Sequence, residues 1–153
     1  MPETFIDQIN PTDLDTIVHL HNQVFRPTRE REYFERRFAG RKGLIAMVAR
    51  IERDAVGFYL GFEVKPETHY PWLIGVAKEV RRSGVATQLM HAGEGWAGDQ
   101  GYQSVRFECD NRIRHFLHFG IANGYDIVGI RWDPERMSNL VIFEKSLGQD
   151  HDG

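Results

Sequence analysis

An apolar run, Trp72-Leu73-Ile74-Gly75-Val76-Ala77, is followed after three residues by Arg81-Arg82-Ser83-Gly84-Val85-Ala86, where a helical pattern begins. Strand, basic glycine-bearing turn and helix start, in that order, restrict the folds open to this chain. If the helix feeds another strand of the same sheet, the two strands are parallel and the crossover is right-handed. The turn is also a phosphate cradle. The first-turn N–H groups of a helix have no intrahelical partner and carry the positive end of its dipole. Gly84 allows close approach of an anion to the backbone, and Arg81 and Arg82 add full charge.

The rest of the chain alternates strands and helices around this unit. Residues 4–9 form a short strand pattern. Asn10-Pro11-Thr12-Asp13 then starts a helix, with Asn10 as cap and Pro11 at the first helical position. Its apolar stripe is Leu14, Ile17, Val18, Val24 and Phe25, and His21 falls on it. Pro27 breaks the pattern, and Thr28 caps a charged second helix with Tyr33, Phe34 and Phe38 inward. Residues 44–51 and 55–64 are strands joined by a turn at Arg53-Asp54, and 72–77 is a third. The helix from Val85 carries Leu89, Ala92 and Trp96 at helical spacing. Its Gly93, Gly95 and Gly98 cost about 1 kcal/mol each relative to Ala, so packing must hold it. Residues 104–109 form a strand, and Asn111 opens a helix that ends at Gly124. Residues 126–132 and 139–144 form the last strands. The order is β, α, α, β, β, β, α, β, α, β, β: an α+β chain whose mixed, mostly antiparallel sheet has helices on both faces.

At 153 residues, with no repeat or linker, the chain is one domain over 1–147, and the polar tail, 148–153, reads as disordered. Net charge is −3, so no global positive field collects nucleic acid. The single Cys109 excludes an intrachain disulfide and fits a reducing, cytoplasmic setting. The first residues lack a basic region and an apolar core, so no signal peptide is expected. No apolar run is long enough to cross a bilayer, and no membrane partner is expected. His115, His118 and His151 lack a metal-binding spacing, and no metal is expected.

The pattern Val76-x-x-x-x-Arg81-x-x-Gly84-x-Ala86 resembles the acetyl-CoA signature of the GNAT superfamily of N-acetyltransferases, Arg/Gln-x-x-Gly-x-Gly/Ala. The element order is similar over nearly the whole chain, as are Asn111, the Asn123-Gly124-Tyr125 step and the terminal strand ending in Leu147. The resemblance implies acetyl-CoA as co-substrate, with its pyrophosphate on the N–H groups of Arg82, Ser83, Gly84, Val85, Ala86 and Thr87. It implies that the strand holding Ile74, Gly75 and Val76 meets the pantetheine arm, that a bulge there splays the strand from its parallel neighbour, and that a free N–H polarises the acetyl carbonyl. Gly75 marks either that bulge or tight packing. Asn111 either hydrogen-bonds the arm, caps its helix, or does both. A homodimer through the late strands is a further family trait.

The catalytic pattern departs from the family. Many members place a general-acid tyrosine on the helix after the asparagine, yet the seventh residue after Asn111 is His118 and the fourth before Gly124 is Gly120. His118 is either the replacement acid or a surface histidine. Glu108 is the acidic candidate for a base, or else pairs with Arg106 or Arg112. Tyr70 and Glu63 lie where the acceptor side of the sheet should be, and Tyr70 either orders a water or is an ordinary strand-end residue. Cys109 reads as a small buried apolar residue. The expected activity is acetyl transfer from acetyl-CoA to a primary amine of a small molecule or peptide by direct attack. The alternatives are a non-catalytic CoA-binding module and a longer acyl donor. The acceptor should enter between residues 25–33 and 69–72, whose aromatic and basic side chains suit an apolar or partly acidic molecule.

Overall fold

The computed structural model describes residues 3–148. The elements are β1 (Thr4–Ile9), α1 (Leu14–Val24), α2 (Arg31–Phe38), β2 (Ile45–Ile51), β3 (Asp54–Lys65), β4 (Thr68–Val76), α3 (Val85–Asp99), β5 (Ser104–Asp110), α4 (Arg114–Ala122), β6 (Asp126–Asp133) and β7 (Ser138–Ser146). A 3-10 turn, Lys78–Val80, precedes α3. The seven strands form one sheet in the order β1-β2-β3-β4-β5-β7-β6. Only β4 and β5 are parallel, as the strand–turn–helix unit requires. The tail expected to be disordered lies, beyond Gly148, outside the described residues.

Side-chain alternation assigns the helices to opposite faces. Phe58 and Leu60 of β3 join Ala46 and Val48 of β2 against Leu14, Ile17, Leu20 and Phe34 of α1 and α2. Their neighbours Tyr59, Met47 and Ala49 point the other way, onto Val85 and Leu89 of α3. Past β4, Val105, Phe107 and Cys109 pack with Met90, Ala97, Tyr125, Val141 and Phe143. Each fully buried large side chain contributes about 1.5–3 kcal/mol, so these clusters hold the glycine-rich α3 that propensity alone would lose. Gly93 is part of that packing: a Cβ there would lie 2.3 Å from the Tyr59 ring.

Several local expectations are corrected. Asp13, not Asn10, caps α1, accepting from the Thr16 N–H at 3.3 Å. Asn10 instead accepts from the Thr12 N–H and hydroxyl, so Asn10 and Pro11 form the turn ahead of the helix. Thr28 is no cap, because α2 starts only at Arg31 with Glu30 before it. Strand β4 begins at Thr68, four residues before Trp72, because hairpin pairing with β3 extends it through His69 and Pro71. Helix α4 starts at Arg114 with Ile113 at its cap position. The Asn111 N–H bonds the Asn139 carbonyl at 2.9 Å, which holds residues 111–113 as a turn against β7. Edge strand β6 leaves Ile127, Val128, Ile130 and Trp132 more than half exposed, at 55%, 51%, 65% and 54%.

Candidate active site

Strands β4 and β5 pair only at Thr68/Ser104 and His69/Val105, then separate. Beyond His69 the edge of β4 that faces β5 has no strand partner. The Ala77 N–H bonds the Val56 carbonyl, and antiparallel bonding alternates from there. Gly75 and Leu73 therefore turn their N–H groups toward β3, while Ile74 and Val76 turn theirs into the cleft. Gly75 is thus not at the open edge. Nor is it the bulge, which falls at Trp72: Leu60 pairs with Leu73 and Gly61 with Pro71. Gly75 is required by packing, since a Cβ there would meet Phe58 at 2.5 Å and Phe25 at 2.9 Å.

The cleft leads to the 81–87 turn. Arg82 and Gly84 have left-handed backbones, with φ of 72° and 89°. The first intrahelical bond of α3 runs from the Gln88 N–H to the Gly84 carbonyl, so the amides of Gly84, Val85, Ala86 and Thr87 precede it. A Cβ on Gly84 would meet nothing within 4 Å, so the turn is open on that side. Ser83 departs from the expected cradle because both its N–H and its hydroxyl bond the Val80 carbonyl. Arg81 caps the cleft-facing Val76 carbonyl through Nε at 3.2 Å. Arg82 is exposed. An open, amide-lined turn continuous with an unpaired strand edge fits a pyrophosphate followed by an amide-bearing arm.

On the α1/α2 face of the cleft, β4 presents Tyr70 and Trp72, and β5 presents Arg106 and Glu108. Neither expected partner holds Glu108. It accepts instead from Arg131 of β6, at 2.8 Å from Nη2. Arg106 is bound to Glu144 at 2.8 Å and Arg112 to Asp110 at 2.9 Å. Burial raises the Tyr70 pKa, and the Glu108 charge raises it further, against Arg37, Arg131 and Arg136, so the phenol stays protonated at neutral pH. Tyr70 and Glu108 therefore share one electrostatic environment.

The other candidates do not join Tyr70 and Glu108. His118 is exposed on α4, whose half-buried positions are Phe116, Leu117 and Phe119. Glu63 accepts from the Tyr102 hydroxyl at 3.0 Å. Cys109 is buried, and burial together with Asp110 pushes its thiol up to about 11, so it is not a nucleophile at neutral pH. Asn111 is half-buried, with its N–H committed to Asn139 and its side chain at the far end of β5. Arg131 and Arg37 were missed by sequence reasoning. One reaches Glu108 across β7 and the other comes from a helix far off in sequence, so no local spacing reports them. Among the described residues no three His, Cys, Asp or Glu side chains could hold a metal, and no helix is long and apolar enough to cross a membrane. A surface groove lies between α1 and α2, lined by Asp15, His19, Asn22 and Glu30, and includes no residue of the cleft.

A family model described as the acetyltransferase (GNAT) family matches residues 14–121. No curated protein matches the sequence. Solved structures match over nearly their full length. The ribosomal-protein-S18-alanine N-acetyltransferase of Escherichia coli superposes with a TM-score of 0.81 at 13% identity, covering 98% of this chain and 97% of that one. Ard1 of Thermoplasma volcanium gives 0.78 at 19%, covering 95% and 99%. A GNAT family acetyltransferase from Elizabethkingia anophelis, solved with acetyl-CoA bound, gives 0.74 at 16%, covering 94% and 97%. At these identities the likeness is one of fold.

Proposed function

Because this chain belongs to the acetyltransferase (GNAT) family, we propose that it transfers the acetyl group of acetyl-CoA to a primary amine by direct attack. The observation that carries the proposal is the separation of β4 from β5 beyond His69, which leaves Ile74 and Val76 facing a cleft that ends at the α3 N-terminus.

Acetyl-CoA supplies the acetyl group as a thioester. The amides of Gly84, Val85, Ala86 and Thr87, with the Arg81 and Arg82 charges, hold the pyrophosphate. The Ile74 and Val76 N–H groups hold the arm and polarise the acetyl carbonyl, and a donor of this kind contributes about 3–4 kcal/mol to transition-state stabilisation. The Asn111 side chain is assigned to the arm. The amine nitrogen forms a bond to the carbonyl carbon as the carbon–sulfur bond breaks. Glu108 takes the amine proton through a water that the Tyr70 hydroxyl orders, and the departing thiolate is protonated from solvent. An amine near pKa ~10.4 needs this relay more than an α-amine near ~7.8.

The exposed position of His118 favours one alternative, a CoA-binding module without turnover. Purified protein mixed with acetyl-CoA and a panel of peptides, amino acids, polyamines and aminoglycosides, read by free thiol, separates the two. Amine-dependent thiol release supports transfer. Binding without turnover on any amine supports the module, and no affinity for any CoA species overturns both.

A further inference from the structure

The acceptor side of the cleft has a continuous aromatic floor. Tyr33 of α2 stacks on Trp72 at 5.9 Å, Trp72 lies 5.9 Å from Phe62, and Phe62 lies 5.4 Å from Tyr70. Three guanidinium groups rest on these rings: Arg29 over Tyr33 at 4.3 Å, Arg37 over Trp72 at 5.1 Å and Arg41 over Phe62 at 4.6 Å. Among the described residues none of the three has a carboxylate within 4.0 Å, and none makes a side-chain hydrogen bond. The acids on the cleft face are engaged, Glu108 by Arg131 and Glu144 by Arg106, each at 2.8 Å. A net positive cluster thus stands at the acceptor entrance of a chain whose net charge is −3.

A guanidinium held over a ring face by a cation–π contact spends no N–H donor on it, and those donors can receive a carboxylate in bidentate fashion. An amine with additional positive charge meets three arginines without an ion-pair partner, while Glu108 and Glu144 are already engaged by arginines. From this arrangement we infer that the acceptor is an amine that also carries a carboxylate, and that Arg37, beside the Trp72 bulge, receives it. The inference rests on the acyl-transfer reading above. Its carboxylate comes either from a free amino acid or from an acidic residue near a peptide N-terminus.

Matched acceptors test it. Free amino acids are compared with their carboxamides, and C-terminally amidated peptides with Asp or Glu at the second position with their Asn or Gln counterparts. In at least one series the carboxylate member should have kcat/KM about tenfold higher, and the series that shows it identifies the source. In Arg37→Ala that preference should fall to within about twofold, mainly through KM, while Arg37→Lys retains part of it. Arg31→Ala, on the outer side of α2 and paired with Asp15 and Glu35, should leave the preference unchanged. Neutral members used as well as acidic ones, or a preference that survives Arg37→Ala in a folded variant, would overturn the inference while the enzyme reading stands. Acetyl-CoA binding by calorimetry with no turnover of any amine overturns both.

Discussion

The Tyr59 hydroxyl lies 2.6 Å from His69 Nε2 in a pair that solvent does not reach. The two rings stack under the point where β4 and β5 part, and His69 Nδ1 has no partner among the described residues. Burial without a second acceptor lowers the His69 pKa to about 4 from an ordinary 6.5.

That shift makes stability pH-dependent. Above pH 6.5 the imidazole is neutral in both states and costs nothing. Between 6.5 and about 4 the unfolded chain takes up a proton that the native state refuses, so stability is lost as pH falls. The loss should reach about 3 kcal/mol from this group, with His21, also lowered by burial, adding in the same direction. Urea unfolding at pH 7, 5.5 and 4.5 measures it. His69→Gln should flatten the slope, and an unchanged slope would refute the assignment.

Gly84 is strained for any other residue, with φ of 89°, although space is open around it. Gly84→Val should cost about 1–2 kcal/mol of stability and weaken acetyl-CoA binding more than tenfold. A tight complex by calorimetry in the folded variant would show that the cradle lies elsewhere.

Gly93→Ala places a methyl group 2.3 Å from the Tyr59 ring, inside the core under α3. Overpacking of this kind costs about 1–3 kcal/mol. Gly95→Ala, on the same helix with nothing within 4 Å of its Cβ, should instead stabilise by up to about 1 kcal/mol. Thermal unfolding of the two variants side by side checks the contrast.

Tyr70→Phe keeps the ring against Phe62 and removes the hydroxyl. Under the proposed relay, kcat should fall about 10–100-fold, with acetyl-CoA affinity unchanged. Glu108→Gln should lower kcat more for a lysine-type amine than for an α-amine. Equal activity of both variants with wild type, by free-thiol assay, would remove these residues from the chemistry.

The order of elements and the turn before α3 were legible in the sequence because both rest on local rules. Hydrophobic period, a strand with a glycine, and a basic turn before a helix involve residues close in the chain. Cap positions were less legible, since Asn10 and Asp13 both satisfy the composition of a helix start and only the backbone path chooses between them. The bulge was displaced from Gly75 to Trp72 because register depends on the partner strand. The acceptor side was the least legible. Glu108 meets Arg131 across an intervening strand, and Arg37 meets Trp72 from a separate helix. Local sequence was enough to place a glycine-bearing basic turn ahead of α3, because the backbone amides that line it are consecutive in the chain. Folding alone settles which charges around β4 and β5 are paired, as Glu108 and Glu144 are, and which, like Arg37, are not. Long-range pairing of side chains sets that balance, and no spacing along the chain records it.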